Sequence, residues 1–309
     1  MRTTLLFLLL AFSAFAAESR FTFERGLMGT RFAITCHGSD EVAAKAAAET
    51  AFQRAEEINT VASDYIAGSE LLRLSETINA PVKVSPLLFY LLVKSLDFAK
   101  KTDGRFDPTL GPATKLWRET RRVGKLPSPE TLAITKAACG FKLLSLDPSS
   151  GTLTLTHPGM RLDLGGIAKG YAADRMFEVM KSSGFPTTCI AAGGDLRLGD
   201  PPPGKSAWAV GLKTLDKDQT SGQLELSNCA VSTSGDLQQA IEIDGVRYAH
   251  IIDPQTGLGL TRHLAVTIIA ADATTSDALA TAACVAGADQ AEKMARACGA
   301  TEVRIATEP

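Results

Sequence analysis

Beyond its first seventeen residues the sequence has no apolar run approaching eighteen residues, so no later segment reads as a membrane-spanning helix. It has no excess of one charge. Its 32 Lys and Arg stand against 34 Asp and Glu, a formal net charge of -2, leaving no basic surface for nucleic acid and no acidic tail. It has no CxxC pair. Cys36, Cys139, Cys189, Cys229, Cys284 and Cys298 are scattered, which argues against a zinc ribbon or a thioredoxin-like site. Most of them read as small core residues, and their pairing is open. Histidine is scarce, with only His37, His157, His250 and His263. Repeats, long linkers and low-complexity tracts are absent. What remains is 309 residues with 45% hydrophobic and 21% charged side chains, a globular composition that excludes disorder, collagen and coiled coil.

The N-terminus opens with Arg2 and continues into an apolar run from Leu5 to Phe15. Ala14-Phe15-Ala16 then places small residues where a signal peptidase reads. The expectation is a signal peptide over 1–16 and an exported, periplasmic mature chain forming a single domain over 17–309. No cysteine stands at the cleavage site to accept a lipid.

The patterning predicts strands around Phe21–Phe23 and over Thr30–Cys36, then an Ala-rich amphipathic helix over 40–60. Pro86–Lys101 reads as a helix with Pro in its first turn, and 126–140 as another. Short strands flank the turn at 148–151, and Arg161–Leu164 reads as a strand running into Gly165-Gly166 and a helix to about Ser182. Further strands are expected at 187–192, 207–213, 222–232, 239–243, 247–252, 263–270 and 302–306, with Asp244-Gly245 as a two-residue hairpin turn and a helix over 275–287. Helices and hairpins without regular βαβ alternation imply an α+β fold with mixed, largely antiparallel sheets and packed helices.

Four segments rich in Gly, Asp and Thr carry the chemistry. In 162–170, Asp163 precedes Gly165-Gly166 and a helix N-terminus whose free N–H groups suit phosphate, with Lys169 adding charge. The spacing is neither a Walker A loop nor a dinucleotide GxGxxG, and a purely structural turn is the alternative. Asp277 and Thr281 stand at i and i+4, which on a helix puts both oxygens on one face and suits a hard cation such as Mg²⁺. The alternative has Asp277 as a helix-dipole partner. In 248–257, His250 precedes a D-P-x-T-G turn; His is a natural proton acceptor, and Asp253 is either a functional partner or a turn former. Gly193-Gly194-Asp195 and Thr233-Ser234-Gly235-Asp236 look like backbone nests.

The order of these segments is more specific than any one of them. Met28-Gly29-Thr30, Ser69-Glu70-Leu71, the 106–112 stretch FDPTLGP and Trp117 are followed by LDLGGIAKGYAAD (162–174), AAGGDLRLGD (191–200), STSGD (232–236), YAHIIDPQTG (248–257) and SDALATA (276–282). Together they resemble the FAD:protein FMN transferase (ApbE) family over nearly the whole mature chain. The resemblance implies an enzyme that uses FAD and Mg²⁺ to move FMN onto a Thr or Ser hydroxyl of exported or membrane redox proteins, releasing AMP. It further implies Asp277, Thr281 and a backbone carbonyl at Gly166 as Mg²⁺ ligands. FAD contacts are implied at Met28, Tyr65, Phe106, Asp107, Pro108, Asp163, Lys169 and Ile251. His250 is the candidate base for the acceptor hydroxyl, with Asp253 orienting it or the metal. Two other readings use the same site: a Mg²⁺-dependent FAD pyrophosphatase giving FMN and AMP, and a flavin-binding protein without catalysis.

Overall fold

The computed structural model describes residues 18–213, 215, 220–235 and 240–307. The expected signal peptide and Asp236 lie outside the described residues. Strands β1 (Ser19–Leu27) and β2 (Thr30–Gly38) form a hairpin closed by Met28 and Gly29, both at positive φ (49° and 70°). A two-residue turn of that hand matches the twist of the strands it joins. Helix α1 (Glu41–Ala62) starts where Asp40 accepts the Ala43 N–H at 3.0 Å. It buries a stripe of six alanines with Phe52 and Ile58 among them, as its 3.6-residue period requires. A single turn, α2 (Glu70–Arg73), and a two-residue strand, β3 (Val82–Lys83), lead to α3 (Pro86–Lys101). Ser85 caps α3 through the Leu88 N–H, and Pro86 fits a first turn that has no use for its missing N–H.

Helices α4 (Gly111–Val123) and α5 (Pro129–Ala137) precede β4 (Leu144–Asp147) and β5 (Thr152–Leu155), which complete a small sheet of order β3-β5-β4. After α6 (Ala168–Ser182) come β6 (Thr188–Ala192), β7 (Asp195–Leu198) and a hairpin of β8 (Trp208–Lys213) and β9 (Thr220–Leu226). Strand β10 (Ala230–Gly235) is followed by the β11 (Ile241–Ile243) and β12 (Val246–Tyr248) hairpin, whose Asp244-Gly245 turn also has both residues at positive φ. The chain closes through β13 (Leu264–Ala270), α7 (Ala273–Ala286), α8 (Ala288–Ala297) and β14 (Ala300–Thr307).

The main sheet has the order β1-β2-β6-β7-β10-β13-β14, and every neighbouring pair is antiparallel. The fold is therefore α+β with largely antiparallel sheets, as the patterning implied. One core joins Phe32, Ile34, Ile190, Val266 and Ile268 of the sheet to α1, α6, α7 and α8. On a second cluster, Val210 of the β8–β9 hairpin packs with Leu198, Val231 and Ile269. Strand β13 lies between these two layers and is buried at every position, so it reads as an unbroken apolar run with one Thr. A third cluster sets Trp117 of α4 against Tyr248, Ile243 and Ile252.

Four local readings are corrected. Arg161–Leu164 is not a strand: Leu162 and Leu164 are buried alternately, but the segment has no ladder, and its Asp163 N–H donates instead to the Pro108 carbonyl at 2.8 Å. The expected strand at 222–232 is two strands in different sheets, divided at Asn228, which takes φ 53°. The strand expected over 247–252 ends at Tyr248, beyond which only Ile252 bridges to Gly259. Helices α4 and α8 were not foreseen. In α8 only Ala291 and Ala295 are buried, and in α4 the buried positions are Gly111, Ala113, Trp117 and Thr120, so neither carries a broad apolar stripe.

Candidate active site at the α6–α7 crossing

Helix α6 has no side-chain cap of its own; Ile167 stands at its N-cap. The orphan N–H of Gly170 in its first turn is taken by the Asp277 carboxylate of α7 at 3.0 Å. That contact requires a glycine. A Cβ on Gly170 would lie 2.1 Å from the Ala273 carbonyl oxygen and 2.8 Å from Asp277 Cβ. Helix α7 is held in turn from α6. Asp174 accepts the N–H groups of Ala273 and Thr274 at 2.8 Å each and the Thr274 hydroxyl at 2.5 Å, while Asp272 accepts from Thr275 at 2.8 Å. Arg197 lies 3.3 Å from Asp174 and balances its charge.

Asp277 is almost wholly buried. Lys169 Nζ stands 3.3 Å from both its oxygens and 2.8 Å from Asp195 Oδ2, at the start of β7. The Asp195 contact lies off the hydrogen-bonding direction, so that buried oxygen has charge compensation but no aligned donor. Burial pushes the Asp277 carboxyl above the usual carboxylate range, and the Asp195 charge adds to this; Lys169 and the Gly170 N–H pull it back only in part. For Lys169 burial opposes the charge, but Asp277 and Asp195 together outweigh it and hold the ammonium charged well above the usual lysine range. One ammonium between two carboxylates leaves the corner a net negative charge, which favours a cation.

Thr281 follows Asp277 by one turn. A Cβ on Gly166 would lie 3.1 Å from Thr281 Oγ1 and 3.3 Å from the Phe106 ring, so the Gly-Gly turn abuts both. Among the described residues the Thr281 hydroxyl has no hydrogen-bond partner. Nor do they contain a cluster of three or more His, Cys, Asp or Glu at ligand spacing. The available donors are all oxygen and too few for a closed cage. That set suits a hard cation that shares its shell with phosphate and water.

The remaining predicted residues surround this corner unevenly. Asp163 Oδ1 accepts the Gly165 N–H at 2.8 Å, shaping the turn. Phe106 is buried with its ring edge-on to Phe98. The Asp107 carboxyl, raised by burial, is committed to backbone and hydroxyl donors: it accepts from the Thr109 N–H and hydroxyl of its own loop (2.8 and 2.6 Å) and from the distant Phe141 N–H (2.9 Å). Pro108 offers the carbonyl that holds Asp163. Met28 lines a cavity of about 460 Å³ with Thr30, Arg31 and Asn59. The Gly193 turn leading to Asp195 sits against Thr30 and donates its N–H to the Arg31 carbonyl at 2.9 Å, which joins that hairpin to the Lys169 network. Tyr65 is 75% exposed. Ile251 is buried in the main core, while His250 before it is exposed. That loop is tied to α4 by the Trp117 indole N–H, which donates to the Ala249 carbonyl at 2.9 Å. Asp253 Oδ1 accepts the Gln255 N–H at 2.8 Å, the turn-forming role.

The structure thus joins Phe106, Pro108, Asp163, Gly166, Lys169, Asp277 and Thr281 by contact. Two residues without an assigned role in the sequence reading belong with them. Asp195 was noted only as part of a nest, and Asp174 only as the end of a motif. The signal for Asp195 is a second Gly-Gly pair, Gly193-Gly194, of the kind expected to face a ligand. Asp174 had none, because its partners lie about a hundred residues away.

Comparison with known proteins agrees with this geometry. The ApbE family model matches residues 28–305. A FAD:protein FMN transferase of Vibrio cholerae is 31% identical over 277 residues, 87% of this chain and 82% of that protein. One from Haemophilus influenzae is 31% identical over 252 residues, 77% of this chain and 72% of that protein. Among solved structures, an ApbE protein from Thermotoga maritima superimposes with a TM-score of 0.85 at 32% identity, covering 93% of this chain and 94% of that one. The flavin transferase ApbE of Vibrio cholerae gives 0.79 at 26% identity and covers 93% of both. With the family model spanning nearly the whole described chain and the Gly turn, Asp277 and Thr281 converging at one corner, this protein belongs to the ApbE family.

Proposed function

We propose that this protein is a FAD:protein FMN transferase. Membership of the family and its relatives' activity support the reading. The single observation that carries it to this chain is the packing of the Gly165-Gly166 turn and the α6 N-terminus against Asp277 and Thr281 of α7. A helix N-terminus opening on a glycine turn accepts phosphate oxygens, and the carboxylate and hydroxyl beside it accept a hard cation.

In the reaction, the acceptor Thr or Ser oxygen attacks the FMN phosphorus of FAD. The bond from that phosphorus to the bridging oxygen breaks, and AMP departs with the electron pair. His250 takes the hydroxyl proton, and Asp253 supports the loop that presents it. The Asp277 carboxylate, the Thr281 hydroxyl and the Gly166 carbonyl would hold Mg²⁺, which would supply positive charge against that of the pyrophosphate. Lys169 holds Asp277 and Asp195 in place and adds positive charge beside the phosphates. Met28, Tyr65, the 106–108 loop, Asp163 and Ile251 form the FAD site. A signal peptide over 1–16 exports the domain formed by 17–309 to the periplasm, where exported or membrane redox proteins supply the acceptor. No helix among the described residues is long and apolar enough to cross a membrane.

The test is the intact mass of a Thr-bearing flavin-acceptor domain incubated with this protein, FAD and Mg²⁺. A gain of one FMN that disappears without Mg²⁺ is expected. Accumulation of free FMN and AMP with an unmodified acceptor would overturn the transferase in favour of a pyrophosphatase. Intact FAD with an unmodified acceptor would overturn catalysis in favour of binding alone.

A further inference from the structure

Tyr65 is exposed, yet it is not loose. Ser63 Oγ accepts the N–H groups of Tyr65 and Ile66 at 3.1 and 3.2 Å, and the Ser69 hydroxyl donates back to the Ser63 carbonyl at 2.6 Å. These bonds close the 63–69 loop on itself. One face of the Tyr65 ring is covered by the guanidinium of Arg118, which lies 3.9 Å from the ring centre. Arg118 is anchored from behind by Asp64, at 2.6 Å, with the Asp64 side chain only 12% exposed. It projects from α4 next to Trp117, whose indole is itself pinned to the Ala249 carbonyl. The exposure that remains to Tyr65 is therefore the opposite face and the rim. The start of α4 packs on the segment that precedes the phosphate corner, where a Cβ on Gly111 would lie 2.6 Å from the Arg161 carbonyl oxygen, and the Asp163 charge acts on Asp64, Tyr65 and Arg118 alike.

A fixed aromatic ring, backed on one face by a planar cation and open on the other, is a stacking platform for a flat heteroaromatic group. Left unused, it would be an ordered apolar face held in water for no gain. A guanidinium suits the task because it is planar and always charged; an ammonium would offer a point charge on a flexible stem. We propose that Arg118 is a positioning residue for FAD, acting through Tyr65: it clamps the ring so that the free face receives the isoalloxazine. The proposal rests on the flavin-transferase reading above.

The experiment is a titration of FAD by flavin fluorescence quenching into four proteins: wild type, Tyr65→Ala, Arg118→Ala and the double variant. Acceptor flavinylation is measured on the same set. Removing the platform is expected to weaken FAD by about tenfold, and removing its backing by about fivefold, with the Arg118→Ala loss read in KM for FAD rather than in kcat. The double variant is expected to match Tyr65→Ala alone, because Arg118 has nothing to clamp once the ring is gone. Arg118→Ala leaves Asp64 without its partner, so Arg118→Lys is the second variant. It keeps a charge for Asp64 and the melting temperature of wild type, yet binds FAD about twofold to threefold more weakly because the flat stack is lost. Independent, additive losses in the double variant would overturn the proposal, as would wild-type affinity in Arg118→Ala. A wild-type protein that fails to quench FAD at all would instead overturn the flavin-transferase reading beneath it.

Discussion

At the scale of single residues, the corner formed by Asp277, Thr281 and Gly166 has to do two opposed things. It must keep a buried carboxylate from being neutralised, and it must leave oxygen lone pairs for a cation. Lys169 meets the first need by standing between Asp277 and Asp195. The Thr281 hydroxyl, without a partner among the described residues, serves the second. Asp277→Ala removes the only carboxylate in the proposed donor set, and Mg²⁺-dependent flavinylation is expected to fall to background while FAD still quenches. The pH dependence follows from the raised Asp277 carboxyl. A raised folded-state pKa means that protons compete for this ligand at higher pH than for an ordinary aspartate. Mg²⁺ affinity is therefore expected to weaken as pH falls from about 7 to about 5, read as a rising half-saturating Mg²⁺ concentration in the flavinylation assay. His250 is exposed and outside the buried network. His250→Ala is expected to leave the FAD titration unchanged and slow transfer by about a hundredfold or more; full transfer by that variant would remove it as the base.

At the scale of elements, the decisive contact is α6 against α7. Gly170 sits where a methyl group would meet the Ala273 carbonyl at 2.1 Å. Alanine raises helix propensity by about 1 kcal/mol, but overpacking against backbone costs about 1–3 kcal/mol, and here it also displaces the Asp277 hydrogen bond. The clash wins, so Gly170→Ala is expected to lower the melting temperature by several degrees and to abolish transfer; a more stable variant would show that the crossing can relax. Asp174 works at the same scale. By capping α7 from α6 it sets the axial position of α7, and with it where Asp277 and Thr281 meet the Gly-Gly turn. Little of this was legible beforehand. The 162–170 run announced a glycine turn entering a helix, but its alternating leucines imitated a strand, because two alternate leucines buried in one core leave the same pattern in a loop as on one face of a sheet.

At the scale of the whole molecule, the seven-stranded sheet separates two apolar layers; five of the six cysteines lie in these layers and Cys139 in the Trp117 cluster, and none is joined to another by a disulfide. Cys36 and Cys189 are nearly adjacent in the ladder, with Cys189 opposite Thr35 and Cys36 opposite Thr188, yet successive residues point to opposite faces. The fold therefore does without disulfides, although export would permit them. Denatured protein is expected to take up six equivalents of a thiol reagent, and reductant is expected to leave the melting temperature unchanged; a shift on reduction would reveal a cross-link.

What the sequence determined by itself was local. The Asp244-Gly245 hairpin turn, the start of α3 at Pro86, and the i, i+4 placement of Asp277 and Thr281 each depend on a few neighbouring residues whose conformational preferences act at short range. The order of the motifs was equally legible, and it carried the family. Tertiary structure decided what depends on distant chain segments meeting: the pairing of Lys169 with Asp195 as well as Asp277, the capping of α7 by Asp174, the bond from the Phe141 N–H to Asp107, and the Arg118 backing of Tyr65. A buried charge must find its partner or be neutralised, and which partner is in reach is set by how helices cross, a geometry that no run of neighbouring residues contains.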